Sequence, residues 1–201
     1  GRLRAWIEAG GTWVVGPLSD TRDLEGAKPK HAPFKYLEDW AGVYCKYEVP
    51  GDPHPFTLEW TDGHTSHASI WCAGFELRNA TALASYTERP FEGLAAITET
   101  RIGQGRIVIL GTLPQPVDLQ RLMLSLAAQA GIHPAAEATP NVLVAPRSGE
   151  AGRGCVVVEI ENRAGTLTVP EPATDLLTGN MVSGVVDVQP YQVMVLSYTA
   201  R

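Results

Sequence analysis

Apolar and polar positions alternate most informatively over residues 103–134, GQGRIVILGTLPQPVDLQRLMLSLAAQAGIHP. Residues 107–110 are a continuous apolar run, β-branched at Ile107, Val108 and Ile109 and too short for a globular helix. The run therefore predicts a strand buried on both faces, as strands inside parallel sheets are. Beyond the turn residues Pro114 and Pro116, the positions Leu119, Leu122, Met123, Leu126 and Ala130 recur at the spacing of one helix face. Asp118 is the predicted N-cap of that helix, Gly131 its C′ residue, and Pro134 the stop beyond it.

Upstream, Leu3, Trp6 and Ile7 form a helical stripe closed by Gly10 and Gly11, and TWVVG (12–16) repeats the signature of a short buried strand. These four elements predict an α/β sheet. A doubly wound sheet normally begins with a strand and has several parallel strands, so the first half of this α/β domain is expected to lie upstream. Residues 17–33 are polar and rich in turn formers, which marks a long loop of the kind that often carries function. A short helix is predicted over 34–40 with Phe34, Leu37 and Trp40 inward. From Val43 the period changes: VYCKYEV, PFTLEW, ASIWCAGFEL, TALASYT and LAAITETRI read as strands, an antiparallel insertion between the two parallel ones.

Residues 132–140 have the composition of a linker, and no helical pattern follows them. NVLVAPR, GCVVVEIEN, TLTVP, DLLTG, VVDVQ and QVMVLSYT succeed one another with turn signals between them. In the second of these, Val156, Val158 and Ile160 share one face while Val157, Glu159 and Glu161 share the other, as a half-solvated antiparallel sheet requires. A small β-sandwich is predicted, with the domain boundary between 134 and 135.

Composition narrows the classes of function. The chain has 201 residues, 44% of them apolar, and a formal charge of −6 with its basic residues scattered, so neither nucleic acid nor an anionic membrane surface is an expected partner. No apolar run is long enough to span a bilayer. Cys45, Cys72 and Cys155 are widely separated and lack CxxC spacing, which predicts neither a disulfide framework nor a cysteine zinc site and fits a reducing, cytoplasmic compartment.

Candidate chemistry is sparse. Gly103 and Gly105 precede their strand, whereas phosphate-binding glycines follow a strand and open a helix, so no nucleotide or other cofactor is expected. Glu59, Asp62, His64 and His67 are the only cluster of metal-capable side chains. Asp62-Gly63 is equally a turn dipeptide that would point them apart, so a weak metal site and a solvated turn are the two readings. Cys72 has Gly74 nearby but lies in an apolar strand, as a core thiol does. No serine occupies a G-x-S-x-G pattern, and the acids fall in loops or on outward strand faces rather than opposed across a cleft. No catalytic residue is therefore assigned. Of the five tryptophans, Trp6, Trp13 and Trp40 read as core. Trp60 and Trp71 divide between core and a contact role, as an interface anchor or a platform for a sugar ring.

The stretches AWIEAGGTWVVGPLSDTRDLEG (5–26) and TALASYTERPFEGLAAITETRIGQGRIVILGTLPQPVDLQRLMLSLAAQAGI (81–132) resemble the trimerisation domain of glycoside hydrolase family 42 β-galactosidases, and ATDLLTG (173–179) with VQPYQVMVL (188–196) resembles the small terminal β-sandwich of those enzymes. The resemblance implies an α/β fold: over 1–134 the C-terminal half of a flavodoxin-like domain of the class I glutamine amidotransferase type, with an antiparallel insertion, and over 135–201 a small all-β sandwich. It also implies that the catalytic barrel and its two glutamates belong to another part of the parent enzyme, and that this chain serves homotrimer assembly, with 17–33 and 43–78 as expected contact surfaces against another copy or the upstream barrel. A carbohydrate-binding module and a degenerate amidotransferase-like domain are the alternatives.

Overall fold

The computed structural model describes residues 1–23, 25–28, 36–51, 55–68, 70–150 and 152–198, which divide into two units, Gly1–Gly131 and Ile132–Arg201. The first unit runs α1 (Arg2–Glu8), β1 (Thr12–Val15), α2 (Leu37–Ala41), β2 (Val43–Val49), β3 (Phe56–Trp60), β4 (Thr65–Ala68), β5 (Cys72–Leu77), β6 (Thr81–Tyr86), β7 (Ala95–Ile102), β8 (Gly105–Leu110) and α3 (Pro116–Gln129). Phe34 and much of the predicted 17–33 loop lie outside the described residues. Among those described, no helix is long and apolar enough to cross a membrane.

Strand β8 is buried at all six positions, and its alternation supplies two cores. Val108 and Leu110 join Leu122 and Leu126 of α3 with Leu58, Tyr86 and Phe91. Ile107 and Ile109 join Ile7 of α1, Leu37 of α2, Val43 and Phe75 on the other face. Each such side chain contributes about 1.5–3 kcal/mol by leaving water. The sheet order is β1-β8-β7-β6-β3-β4, with β5 also bonded to β7 and carrying β2. Among the described strands only β1 and β8 are parallel, in the register Thr12↔Arg106 to Val15↔Ile109. The segment expected as an insertion is thus no separate layer: β7 continues the sheet antiparallel to β8, so one mixed, mostly antiparallel sheet contains both patterns.

The glycines before β8 have a packing reason. Gly103 (φ +59°) and Gln104 form the two-residue turn of the β7–β8 hairpin, where a positive φ suits glycine. A Cβ on Gly105 would run into the carbonyl oxygens of Ile7 and Gly11. That close approach lets the amides of Gln104 and Arg106 donate to Glu8 O and Gly11 O, both at 3.0 Å, so the hairpin satisfies the last carbonyl of α1 and the one just before β1.

Two helix expectations need correction. Helix α3 starts with Pro116 in its first turn after Gln115, because proline's fixed φ and missing donor suit that place; Asp118 is inside the first turn and buried, not the N-cap. Leu122 and Leu126 face the core with Leu119 partly covered, whereas Met123 is exposed. In seven-residue α1 only Ile7 is buried, and Trp6, expected in the core, is 52% exposed with its ring lying over Gly11. Trp13 and Trp40 do pack against the second core, edge to face with centroids 6.5 Å apart.

The second unit contains β9 (Glu137–Ala138), β10 (Val142–Gly149), β11 (Gly152–Glu159), β12 (Gly165–Asp175), β13 (Met181–Val188) and β14 (Val193–Tyr198). They form a single antiparallel sheet ordered β10-β11-β14-β12-β13, not two separately bonded sheets. An irregularity between Val169 and Ala173 lets the first part of β12 bond β9 and its last three residues bond β14, so the sheet turns over its own core. DLLTG is no strand; it is the end of β12 and a turn held by Asp175, whose carboxylate accepts from Leu177 N (3.2 Å), Val195 N (3.1 Å) and Thr178 Oγ1 (2.8 Å). The inward set of β11 is Cys155, Val157 and Glu159, so Glu159, expected on the solvated face, is only 1% exposed.

Glu159 is tolerated there because its carboxylate accepts from Asn141 Nδ2 (2.9 Å) and from the amides of Glu161 and Tyr191 (2.7 Å each). Burial alone would raise its pKa, but these hydrogen bonds outweigh it and pull the value down to about 2. Because the folded value lies below the ~4.3 of a free glutamate, the stabilisation is complete above roughly that pH and fades as pH falls toward 2. Glu159→Gln is expected to melt earlier at neutral pH and to lose less melting temperature than the parent between about pH 5 and 2.5, as calorimetry will read. Gly105→Ala is expected to destabilise the first unit by roughly 3 kcal/mol or more, measured by urea unfolding, since rigid backbone blocks the added methyl.

Candidate functional site

The β3–β4 hairpin turns through Asp62-Gly63, with Gly63 at φ +82° donating to Trp60 O (2.9 Å) and His64 N donating to Asp62 Oδ1 (3.0 Å). This is the turn reading of that dipeptide. The amide of His64, helped by Arg121, holds the Asp62 carboxyl below the usual carboxylate range. Asp62 Oδ2 accepts from Arg121 Nη1 at 2.8 Å, and His64 Nε2 lies 2.9 Å from Asp118 Oδ1. The Arg121 guanidinium sits 5.2 Å from the Trp60 ring centre and 3.7 Å from Asp118. The result is a polar clamp fastening the hairpin to the first two turns of α3.

His67 is on β4 and faces elsewhere, lining a cleft with Ile70 and Leu113, while Glu59 is exposed on β3. The described residues hold no group of three side chains able to bind a metal. Trp60 is only 7% exposed and its indole N–H donates to Ser66 Oγ at 2.8 Å, so its position on the inward face of β3 makes it core and not a sugar platform. Trp71 is half-buried, at φ +37°. Cys72 is wholly buried; burial raises its thiol pKa, and Thr112 Oγ1 is its neighbour at 3.8 Å. Sequence reasoning missed Asp118, whose partner is 54 residues away. Its signal was present: Asp118 stands one turn before Leu122 and two before Leu126 on the same inward stripe.

Beside the clamp is an open, largely apolar cleft of about 550 Å³, walled by Pro55, His67, Ile70, Leu113, Pro114 and Leu119. It lies where the chain leaves β8: Ala73 N donates to Gly111 O (2.8 Å) and Ala68 bridges Pro114. This is the carboxyl end of the parallel pair, the end at which open α/β sheets present their functional surfaces. Ile70 is 65% exposed and at φ +50°. On the connection leaving β1, Leu18 (φ +65°) and Asp20 (φ +58°) share the positive region, and Asp20 accepts the amides of Tyr36 and Leu37 (2.8 Å to Leu37) at the start of α2.

The first unit is thus a mixed sheet whose polar clamp holds a hairpin to α3, with an exposed, largely apolar cleft at one end. The chain belongs to the β-galactosidase trimerisation domain family, whose model matches residues 1–133. Among curated proteins it is similar to the β-galactosidase YesZ of Bacillus subtilis (strain 168), 32% identical over 202 residues, 98% of this chain and 30% of that protein. Among solved structures it is similar to a β-galactosidase from Bacillus circulans sp. alkalophilus, with a TM-score of 0.92, 21% identity and coverage of 98% of this chain and 30% of that one. The β-galactosidase of the Antarctic haloarchaeon Halorubrum lacusprofundi gives a TM-score of 0.78 at 20% identity, covering 98% and 28%. The chain thus spans under a third of the length of these relatives.

The clamp gives a direct test. His64→Ala is expected to cost about 1–2 kcal/mol by stripping a partner from a buried carboxylate. In an Asp118→Ala background the same change should cost less than about 0.5 kcal/mol, the difference being read from urea unfolding.

Proposed function

We propose that this chain is the non-catalytic assembly portion of a β-galactosidase-type glycoside hydrolase, and that it holds copies of the parent enzyme together as a homotrimer. The observation that carries this is the match of the trimerisation family over 1–133, which takes in the whole first unit. The carboxylates support it by their occupations: Glu159 and Asp175, and Asp118 through its Oδ1, are buried in hydrogen bonds that hold turns and hairpins. The parent would hydrolyse terminal β-galactosides with a catalytic barrel supplied elsewhere in its sequence, and that barrel is the chain's second partner.

In this reading the first unit, taken as 1–134, is part of a flavodoxin-like, amidotransferase-type domain. The parallel β1–β8 pair with α1 and α3 supports the assignment, since those are the elements of a doubly wound layer. Among the described residues β1 bonds only β8, and its apolar TWVV carries no guarding charge, so its other edge suits a further strand. Residues 135–201, one sheet that turns over its own core, take the place of the small terminal β-sandwich. The parent is placed in the cytoplasm, in keeping with three free, buried cysteines.

Light scattering on the pure 201-residue chain is expected to return the mass of three copies, and incubation with nitrophenyl β-galactoside is expected to release no nitrophenol. A monomer at high concentration would overturn the assembly reading, and nitrophenol release the non-catalytic one.

A further inference from the structure

We infer that copies of this chain meet at the carboxyl end of the parallel pair, with Ile70 packing into the neighbouring copy's cleft beside Pro114 and Leu119. This rests on the assembly reading above and names its surface. The family match ends at residue 133, so the contact belongs on the first unit. Within that unit all four non-glycine residues described with positive φ, Leu18, Asp20, Ile70 and Trp71, lie on connections at this one end of the sheet. A β-branched residue at φ +50° is a backbone outlier, and such strain persists where the surroundings impose it, most often at functional sites. Asp20 finds its use inside the chain, at the start of α2. Ile70 finds none of comparable kind, for its side chain is presented to solvent.

The occupant follows from the chemistry of the walls. Among the described residues His67 is the one titratable side chain lining the cleft, so these walls are largely apolar. An apolar knuckle fits it, and the chain carries one on the cleft's own rim in Ile70. Around a three-fold axis, residues close to the axis meet the same small region of the next copy, so a knuckle and a cleft side by side form a closed ring of contacts. Two other exposed apolar groups of the unit are less suited. The β2 edge is guarded by a bulge between Cys45 and Tyr47 and by Lys46, paired to Glu76. On α3, Val117, Met123 and Leu124 are interrupted by Gln120, Arg121 and Ser125.

The test is the mass of the 201-residue chain by light scattering across a dilution series, beside its thermal melt. Ile70→Glu is expected to weaken assembly by roughly thirtyfold or more, the loss of one central contact, while a cooperative melt is kept. Val185→Glu, at an equally exposed position in the second unit, should assemble like the parent. Ile70→Gly relieves the positive φ and is expected to melt no earlier than the parent yet to assemble as poorly as Ile70→Glu. If Ile70→Glu fails to fold, the glycine variant decides: folded and dissociated supports the surface, folded and assembled overturns it. A parent that assembles with both variants assembling equally overturns this surface and leaves the assembly reading standing, whereas a monomeric parent overturns both.

Discussion

The first unit depends on burying β8 on both faces at once. A strand of six consecutive buried residues must have an apolar layer above and below it, and here α3 supplies one and α1 with α2 the other. Every other strand takes its place from that arrangement: β1 parallel on one edge, β7 antiparallel on the other, and the rest outward from β7. Removing either layer would expose half of β8 together with the strand neighbours that share its faces.

Carboxylates do architectural work in both units. Asp20 accepts amides at the start of α2, Asp118 receives His64, Asp175 closes the turn after β12 and Glu159 gathers two loop amides and an asparagine. In each case an acidic side chain accepts at least one donor from a distant part of the chain.

Periodicity made β8, α3 and the period-2 strands of the second unit legible, because burial imposes repeats of fixed length. It could not say which face of β11 is inward: valine occupies both faces, and Glu159 reads as solvated unless its Asn141 and Tyr191 partners, 18 and 32 residues away, are known. Trp6 left its expected place in the core, and Trp60, which the sequence divided between core and contact, lies buried, for a similar reason. A seven-residue helix covers only Ile7, while Trp60 lies on the inward face of β3. The turn at Asp62-Gly63 was legible because its signal is local; the clamp built on it was not, because Asp118 was read as a cap for its own helix.

The parallel pairing of β1 with β8 also sets an order of events. Thr12 bonds opposite Arg106, so in this unit β1 has no strand to join until some ninety intervening residues have been made and the β7–β8 hairpin has closed. The hairpin is local and can form early. Within the unit the TWVV segment therefore waits longer than any other strand for its bonded neighbour, and the first strand of the unit in sequence is the last to be able to find it.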